Sequence, residues 1–253
     1  MFCDCRLCRR AASLGGKDFR TRSSILIDGI LKVDFPPDTY HHKLAYGLDL
    51  NGLRTVLFTH SHFDHFSVRE LDYLNKPFSH WKRKHSILFL GNGETAKLAS
   101  SVLNATAPAS VRTMEAFETV AAGDYKVTAI PAVHSTERPF NYIIQRGGKS
   151  LLYASDTGPY PESTMRYLGN FRFACVISEC TGGLGRIDYG THLALSDAAV
   201  FKKRMENSGA SEKKTRWILT HFSHNGAGTH EEMSRQARRL GMTAAYDGMK
   251  TEI

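Results

Sequence analysis

No run of 18 uninterrupted apolar residues occurs in this 253-residue chain, which excludes a simple membrane-spanning helix. Nor does an apolar segment follow Met1, where Cys3, Asp4, Arg6, Arg9 and Arg10 come at once. We therefore expect no secretory leader, no membrane partner and a soluble, cytoplasmic protein. Cysteine is scarce, and three of the five fall in Cys3-Asp4-Cys5-Arg6-Leu7-Cys8, with Cys175 and Cys180 in or beside an apolar run. That distribution argues against a long-range disulfide framework; spacings of one and two suit thiolates converging on one ion, the alternative being reduced surface cysteines. Low-complexity segments, linkers and a glycine fingerprint before a helix are also lacking, which sets aside a purely Rossmann-like sheet. Basic residues outnumber acidic ones by 33 to 25 without forming a nucleic-acid tail. The net +8 favours anionic partners, and a small phosphate-containing molecule satisfies it as well as a polynucleotide.

What is present is an alternation of strand-like and helix-like segments. Residues 23–28 and 30–34 read as strands joined through Gly29, and a loop-to-helix segment follows Pro36-Pro37. Val68–Leu74 has near-helical spacing behind Ser67 as N-cap, with Glu70 three residues on. Further strands are expected at 86–90, 117–120, 125–133, 140–145, 149–154, 173–178, 216–220 and 243–246, with helices at 93–103, 193–205 and 231–240. The chain can bury a core without crosslinks. We expect one α/β domain over 1–253, with pseudo-symmetric halves near 1–130 and 131–253, each giving a mixed sheet with helices outside.

The densest chemical signal is Thr59-His60-Ser61-His62-Phe63-Asp64-His65, four metal-type donors within six residues at the end of an apolar run. His60 and His62 suit one extended stretch, while Asp64 and His65 can face a second ion beyond a tight turn. His134, Asp156 and His221 likewise stand where apolar runs end, so donors far apart in sequence can converge at strand ends. Imidazole mixed with carboxylate suits zinc or manganese, and Asp156, with two oxygens, is the best bridge between ions.

With these motifs the chain resembles the metallo-β-lactamase-fold hydrolases along essentially its whole length. Within them it is most similar to the ribonuclease Z-like branch, especially the cyclic phosphodiesterase of phosphonate degradation that opens 5-phosphoribosyl 1,2-cyclic phosphate. The resemblance implies the metallo-β-lactamase fold, a four-layer αβ/βα sandwich with two mixed sheets. It assigns His60, His62 and His134 to one divalent ion, Asp64, His65 and His221 to the other, and Asp156 to both. Asp34 takes the early acidic position that orients a ligand histidine, and Cys3, Cys5, Cys8 and His224 match a structural zinc site. His192 matches a proton donor to the leaving group, paired with Glu179. Relatives normally begin with a strand and a glycine-rich turn before the cysteines; this chain starts two residues ahead of Cys3, implying a truncated or mis-assigned start or a different sheet edge.

The implied activity is hydrolysis of a small cyclic or diester phosphate by two active-site ions, zinc or manganese, with a homodimer expected from the relatives' habit. No glycine-rich basic arm for transfer RNA stands out. The alternatives are a nuclease for short single-stranded nucleic acid, a lactonase or thioesterase, and a non-catalytic binding protein, the last disfavoured by a complete donor set. Asn75–His85, dense in basic and aromatic residues, reads either as a connector or as a lid that grips phosphate or stacks a base.

Overall fold

The computed structural model describes residues 2–187, 190–226 and 228–253. Its elements run α1 (Arg6–Leu14), β1 (Ile25–Ile27), β2 (Leu31–Val33), α2 (Thr39–Tyr46), β3 (Thr55–Leu57), β4 (Ile87–Gly91), α3 (Gly93–Val102), β5 (Ala109–Thr113), β6 (Thr119–Ala122) and β7 (Tyr125–Pro131). There follow β8 (Phe140–Arg146), β9 (Lys149–Ala154), α4 (Glu162–Leu168), β10 (Cys175–Glu179), α5 (Leu195–Asn207), β11 (Arg216–Thr220), α6 (His230–Arg239) and β12 (Thr243–Ala244). Two compact units are present, one of residues 22–131 with 136–140, the other of 1–21, 132–135 and 141–253. Among the described residues no helix is long and apolar enough to cross a membrane.

In the first unit five strands follow the order β1-β2-β3-β4-β5, antiparallel between β1 and β2 and parallel thereafter. Asp28 and Gly29, with φ of 50° and 73°, turn the β1–β2 hairpin, and Ile30 N–H closes it onto Ile27 O at 3.0 Å. Positive φ at both central positions is why Asp-Gly is favoured there. Every residue of β2 and β3 is buried, as parallel strands covered on both faces require. Phe58, just beyond β3, packs on Phe66 and Phe89 at ring separations of 4.2 and 5.7 Å, inside a core that includes Val56, Leu71 and Ile87. Gly91 admits this packing, because a Cβ there would stand 2.2 Å from Thr95 Oγ1 and 3.2 Å from Phe58 Cβ. The unit also carries the antiparallel β6–β7 pair.

In the second unit the strand order is β12-β11-β10-β9-β8, with β8 antiparallel to β9 and the other neighbours parallel. The β8–β9 hairpin turns at Gly147 and Gly148, both with positive φ.

Four elements depart from the sequence reading. Val68–Leu74 is a 3-10 helix, not an α-helix, and Ser67 makes no side-chain cap. Ser67 N–H is drawn to Phe35 O at 2.8 Å and Glu70 N–H bonds Ser67 O at 3.1 Å, so the turn tightens to insert Leu71 in the core. The edge strand β5 and the short helix α1 carry no fully buried position to announce them by periodicity, and α4 is only seven residues long, with Thr164, Met165 and Leu168 buried. Within 75–85, Trp81 donates to His85 O at 2.8 Å and packs against the core.

Lys32, central in β2, is wholly enclosed and donates to Ser24 Oγ at 2.7 Å. Burial pulls its ammonium down to about 7, against the opposing charge of Asp34. Between that value and the ordinary value of 10.5 the unfolded chain binds more protons, so stability rises with pH. The unfolding free energy of the wild type relative to a Lys32→Met variant is therefore expected to climb by about 1.4 kcal/mol per pH unit between pH 8 and 10. Denaturant titrations giving a flat difference would show an ordinary ammonium at this position.

Candidate metal centre

The chain leaving β3 makes a tight turn, with His65 N–H and Phe66 N–H both bonded to His62 O at 3.0 and 2.8 Å. Beneath it lies Asp34, fully buried at the end of β2. One of its oxygens accepts Thr59 N–H at 2.9 Å, the Thr59 hydroxyl lies 2.9 and 3.0 Å from the two, and His65 Nδ1 stands 2.7 Å from the second. An ionised carboxylate only accepts, so His65 carries its proton on Nδ1 and presents Nε2 as a donor atom. The same logic reaches His60 through Thr59. That hydroxyl gives its proton to Asp34, leaving its oxygen to accept from His60 Nδ1 at 3.0 Å. Ser61 donates to Glu94 Oε2 at 2.7 Å and anchors the loop to the first turn of α3.

Asp156 follows β9 and His221 follows β11, and both adopt left-handed backbone, φ 50° and 57°, as does Asp34 at 61°. Among the described residues, three of the six non-glycine residues with positive φ are thus positions singled out in the sequence, all at ends of strands that pair in parallel. Such backbone costs on the order of 1 kcal/mol or more and persists where surroundings hold it. Around Asp156 they do. Asn141 Nδ2 donates to Ser155 O at 2.7 Å, Tyr160 O–H donates to Asn141, and Val133 N–H bonds Thr157 Oγ1 at 2.9 Å. His134 Nε2 lies 3.5 Å from Asp156 Oδ2, and His221 Nδ1 lies 3.0 Å from Asp156 Oδ1.

Glu179, fully buried at the end of β10, accepts from Thr157 N–H and Thr181 N–H, each at 3.0 Å, and from His192 Nδ1 at 2.8 Å. Gly158 lets the 190–192 backbone approach, since a Cβ there would sit 1.8 Å from Gly190 O. Burial works against the His192 imidazolium, but the hydrogen bond and charge of Glu179, helped by Asp156, hold it above its ordinary value. Thr181 Oγ1 stands 2.8 Å from His221 Nδ1 and 3.2 Å from His192 Nδ1, linking the two rings.

Cys5 caps α1, its sulfur accepting Cys8 N–H at 3.4 Å, so the helix start itself gathers the CxCxxC sulfurs. His224 Nδ1 lies 3.4 Å from Cys3 Sγ and 3.7 Å from Cys5 Sγ. The Cys8 N–H and His224 lower the Cys5 thiol to about 6, whereas the bond to Cys5 and burial push Cys8 up to about 11.

The structure gathers the predicted donors into groups. Ligand atoms of His60, His62, His134 and Asp156 lie within 4.8 Å of one another, as do those of Asp64, His65, Asp156 and His221. Cys3, Cys5, Cys8 and His224 form a further group, and Glu179, His192 and His221 another. Nitrogen and oxygen donors bind zinc at about 2.0–2.2 Å and sulfur at about 2.3 Å, so donors around one ion stand at most about 4.6 Å apart. Only modest closure separates these sets from such a shell. Two overlapping groups suit a dinuclear metal site, and the cysteine group suits a separate one. Sequence reading missed Thr59, Thr181, Asn141, Tyr160 and the Ser61–Glu94 tie; of these, Thr59 and Ser61, inside the motif, carried a local signal.

A family model for the beta-lactamase superfamily domain matches residues 24–222. The chain belongs to the beta-lactamase superfamily. Its fold is the α/β metallo-β-lactamase fold of that superfamily, the four-layer sandwich with two mixed sheets. No curated protein matches significantly. Among solved structures, a diphosphatase from the PhnP family is similar at 23% identity and TM-score 0.77, over 100% of this chain and 91% of its own. Zinc-bound PqqB from Methylobacterium extorquens gives 16% identity and TM-score 0.69, covering 100% and 94%. The short form of human tRNase Z gives 17% and 0.65, covering 92% and 95%. At these identities the likeness is one of fold.

Three tightly held ions per chain are expected in freshly prepared protein, two on the groups that share Asp156 and one on the cysteine group. A Cys5→Ala variant should lose one ion and melt several degrees lower, while His62→Ala should keep the cysteine-bound ion. Elemental analysis finding full metal and an unchanged melting temperature in Cys5→Ala would make the cysteines an ordinary reduced cluster.

Proposed function

We propose that this superfamily member is a dinuclear metal-dependent phosphodiesterase acting on a small cyclic or diester phosphate, with 5-phosphoribosyl 1,2-cyclic phosphate as the specific candidate. The observation that carries the reading is Asp156, shared by two groups of four donors. In this reading His60, His62, His134 and Asp156 hold one divalent ion, and Asp64, His65, His221 and Asp156 the other, zinc or manganese in both. Such a pair supplies Lewis acidity toward a water molecule and a phosphoryl oxygen when bound.

The chain's own groups do the rest. Asp34 keeps His65, and through Thr59 His60, in the tautomer that presents Nε2. Glu179 fixes the His192 Nδ1 proton, which leaves Nε2 to deliver a proton to the departing ester oxygen; the elevated proton affinity of His192 supports that role. Cys3, Cys5, Cys8 and His224 hold a structural zinc that ties α1 to the loop after β11. None of the five cysteines is in a disulfide, which suits the reducing cytoplasm. A homodimer belongs to the same reading, supported by the outward-facing pair Tyr73 and Phe78, 61% and 60% exposed with rings 5.6 Å apart.

Metal-loaded protein is to be assayed on an aryl phosphodiester, a cyclic ribose phosphate, short RNA and a lactone. Preferential turnover of the small diesters is expected; preference for RNA or for the lactone would replace this reading with a nuclease or a carbonyl hydrolase. A His192→Ala variant should lose roughly 10²- to 10⁴-fold in turnover with its metal content intact. Loss of metal together with activity would remove His192 from proton transfer.

A further inference from the structure

Phe63 occupies a place where an apolar side chain gains nothing from the core. It lies between His62 and Asp64, yet its side chain is turned out to solvent, 71% exposed. The loop does not need the ring for anchorage, because Ser61 on one side is tied to Glu94 and the turn is closed by the bonds to His62 O. Isolated exposed phenylalanines are common and by themselves mean little. This one has a cation set over it: the Arg22 guanidinium carbon stands 5.7 Å from the ring centroid. Arg22 is itself held, since both its backbone N–H and Nη1 donate to Asp38 Oδ2 at 2.9 Å. Asp38 begins α2, and Tyr40, two residues on, is 64% exposed. A guanidinium fixed by its carboxylate partner beside an exposed aromatic face is a surface for a planar ligand, by stacking on the ring and hydrogen bonding to the remaining guanidinium N–H groups.

Phe63 lies in the chain between two of the donors, His62 and Asp64, so its exposed ring stands on the same loop that carries them. We infer that Phe63, backed by Arg22, stacks a nucleobase carried on the phosphate substrate, and that the substrate is a nucleotide-type phosphodiester rather than a bare sugar phosphate. This rests on the phosphodiesterase reading and narrows its small cyclic or diester phosphates to those that carry a base, in place of the base-free 5-phosphoribosyl 1,2-cyclic phosphate. The bond broken is unchanged, a phosphorus–oxygen ester bond cleaved by water; Phe63 and Arg22 select the arm that stays bound.

Calorimetry on metal-loaded protein tests this with adenosine 5′-monophosphate against ribose 5-phosphate, which differ by the base. Base stacking on an aromatic side chain corresponds to about 5- to 150-fold in affinity. Wild type should therefore prefer the adenosine compound at least about fivefold, the ratio should fall to about one in Phe63→Ala, and Phe63→Trp should restore it. Equal affinities in wild type, or a ratio that survives Phe63→Ala, would overturn the inference. So would a subunit mass that drops from dimer to monomer in Phe63→Ala without any base preference in wild type, which would make this face a contact with a second copy. Turnover of phosphodiesters without base preference refutes this inference alone, whereas base preference without any such turnover refutes the phosphodiesterase reading.

Discussion

A single buried carboxylate organises the first half of the candidate centre. Asp34 is fully enclosed, and an unpaired charge at such a place would cost several kcal/mol. It is stabilised by donors that leave it no freedom: Thr59 through both its N–H and its hydroxyl, and His65 through Nδ1. Those bonds decide which nitrogen of each of two histidines faces outward. The neighbouring charge also bears on Lys32, whose enclosure in β2 pulls it toward neutrality while Asp34 resists. Removing the carboxylate would disturb tautomers, loop and strand together.

Glu179 plays a matching part in the other unit, accepting from two backbone N–H groups and one imidazole. Both carboxylates stand at the ends of parallel strands, where the chain leaves the sheet and its backbone groups need new partners. The left-handed residues Asp34, Asp156 and His221 occur at the same kind of place. A sharp departure from a rigid strand aims a side chain more reproducibly than a long loop can, and surrounding hydrogen bonds offset the backbone cost. The Asn141–Tyr160 pair shows that offset directly, holding the carbonyl of Ser155 one residue before the strained Asp156.

The cysteine cluster obeys a more local rule. Cys5 is a helix N-cap, so the geometry of α1's first turn brings Cys8 back toward it, and Cys3 needs only the two preceding residues to join. His224 reaches the same point from the loop after β11, three residues past His221.

Donors that stand close together or at clear breaks in pattern are legible from the order of residues alone. The run from His60 to His65 and the CxCxxC are visible because one turn of backbone suffices to assemble them. His134, Asp156 and His221 were legible because each follows a buried strand whose apolar residues stand out, and the principal parallel strands were read for the same reason. Elements without a buried position, β5 and α1, left no such trace, α4 is too short to show one, and the 3-10 turn at Val68–Leu74 follows the bond of Ser67 N–H to Phe35 O more than its own spacing. Which hydroxyls, amides and carboxylates stand behind the donors, such as Thr59 behind His60 and Thr181 between His192 and His221, emerges from the folded chain. Hydrogen bonds of that kind depend on ångström-scale placement of groups up to 40 residues apart, which no local pattern encodes, whereas the donors themselves are chemically distinctive wherever they occur.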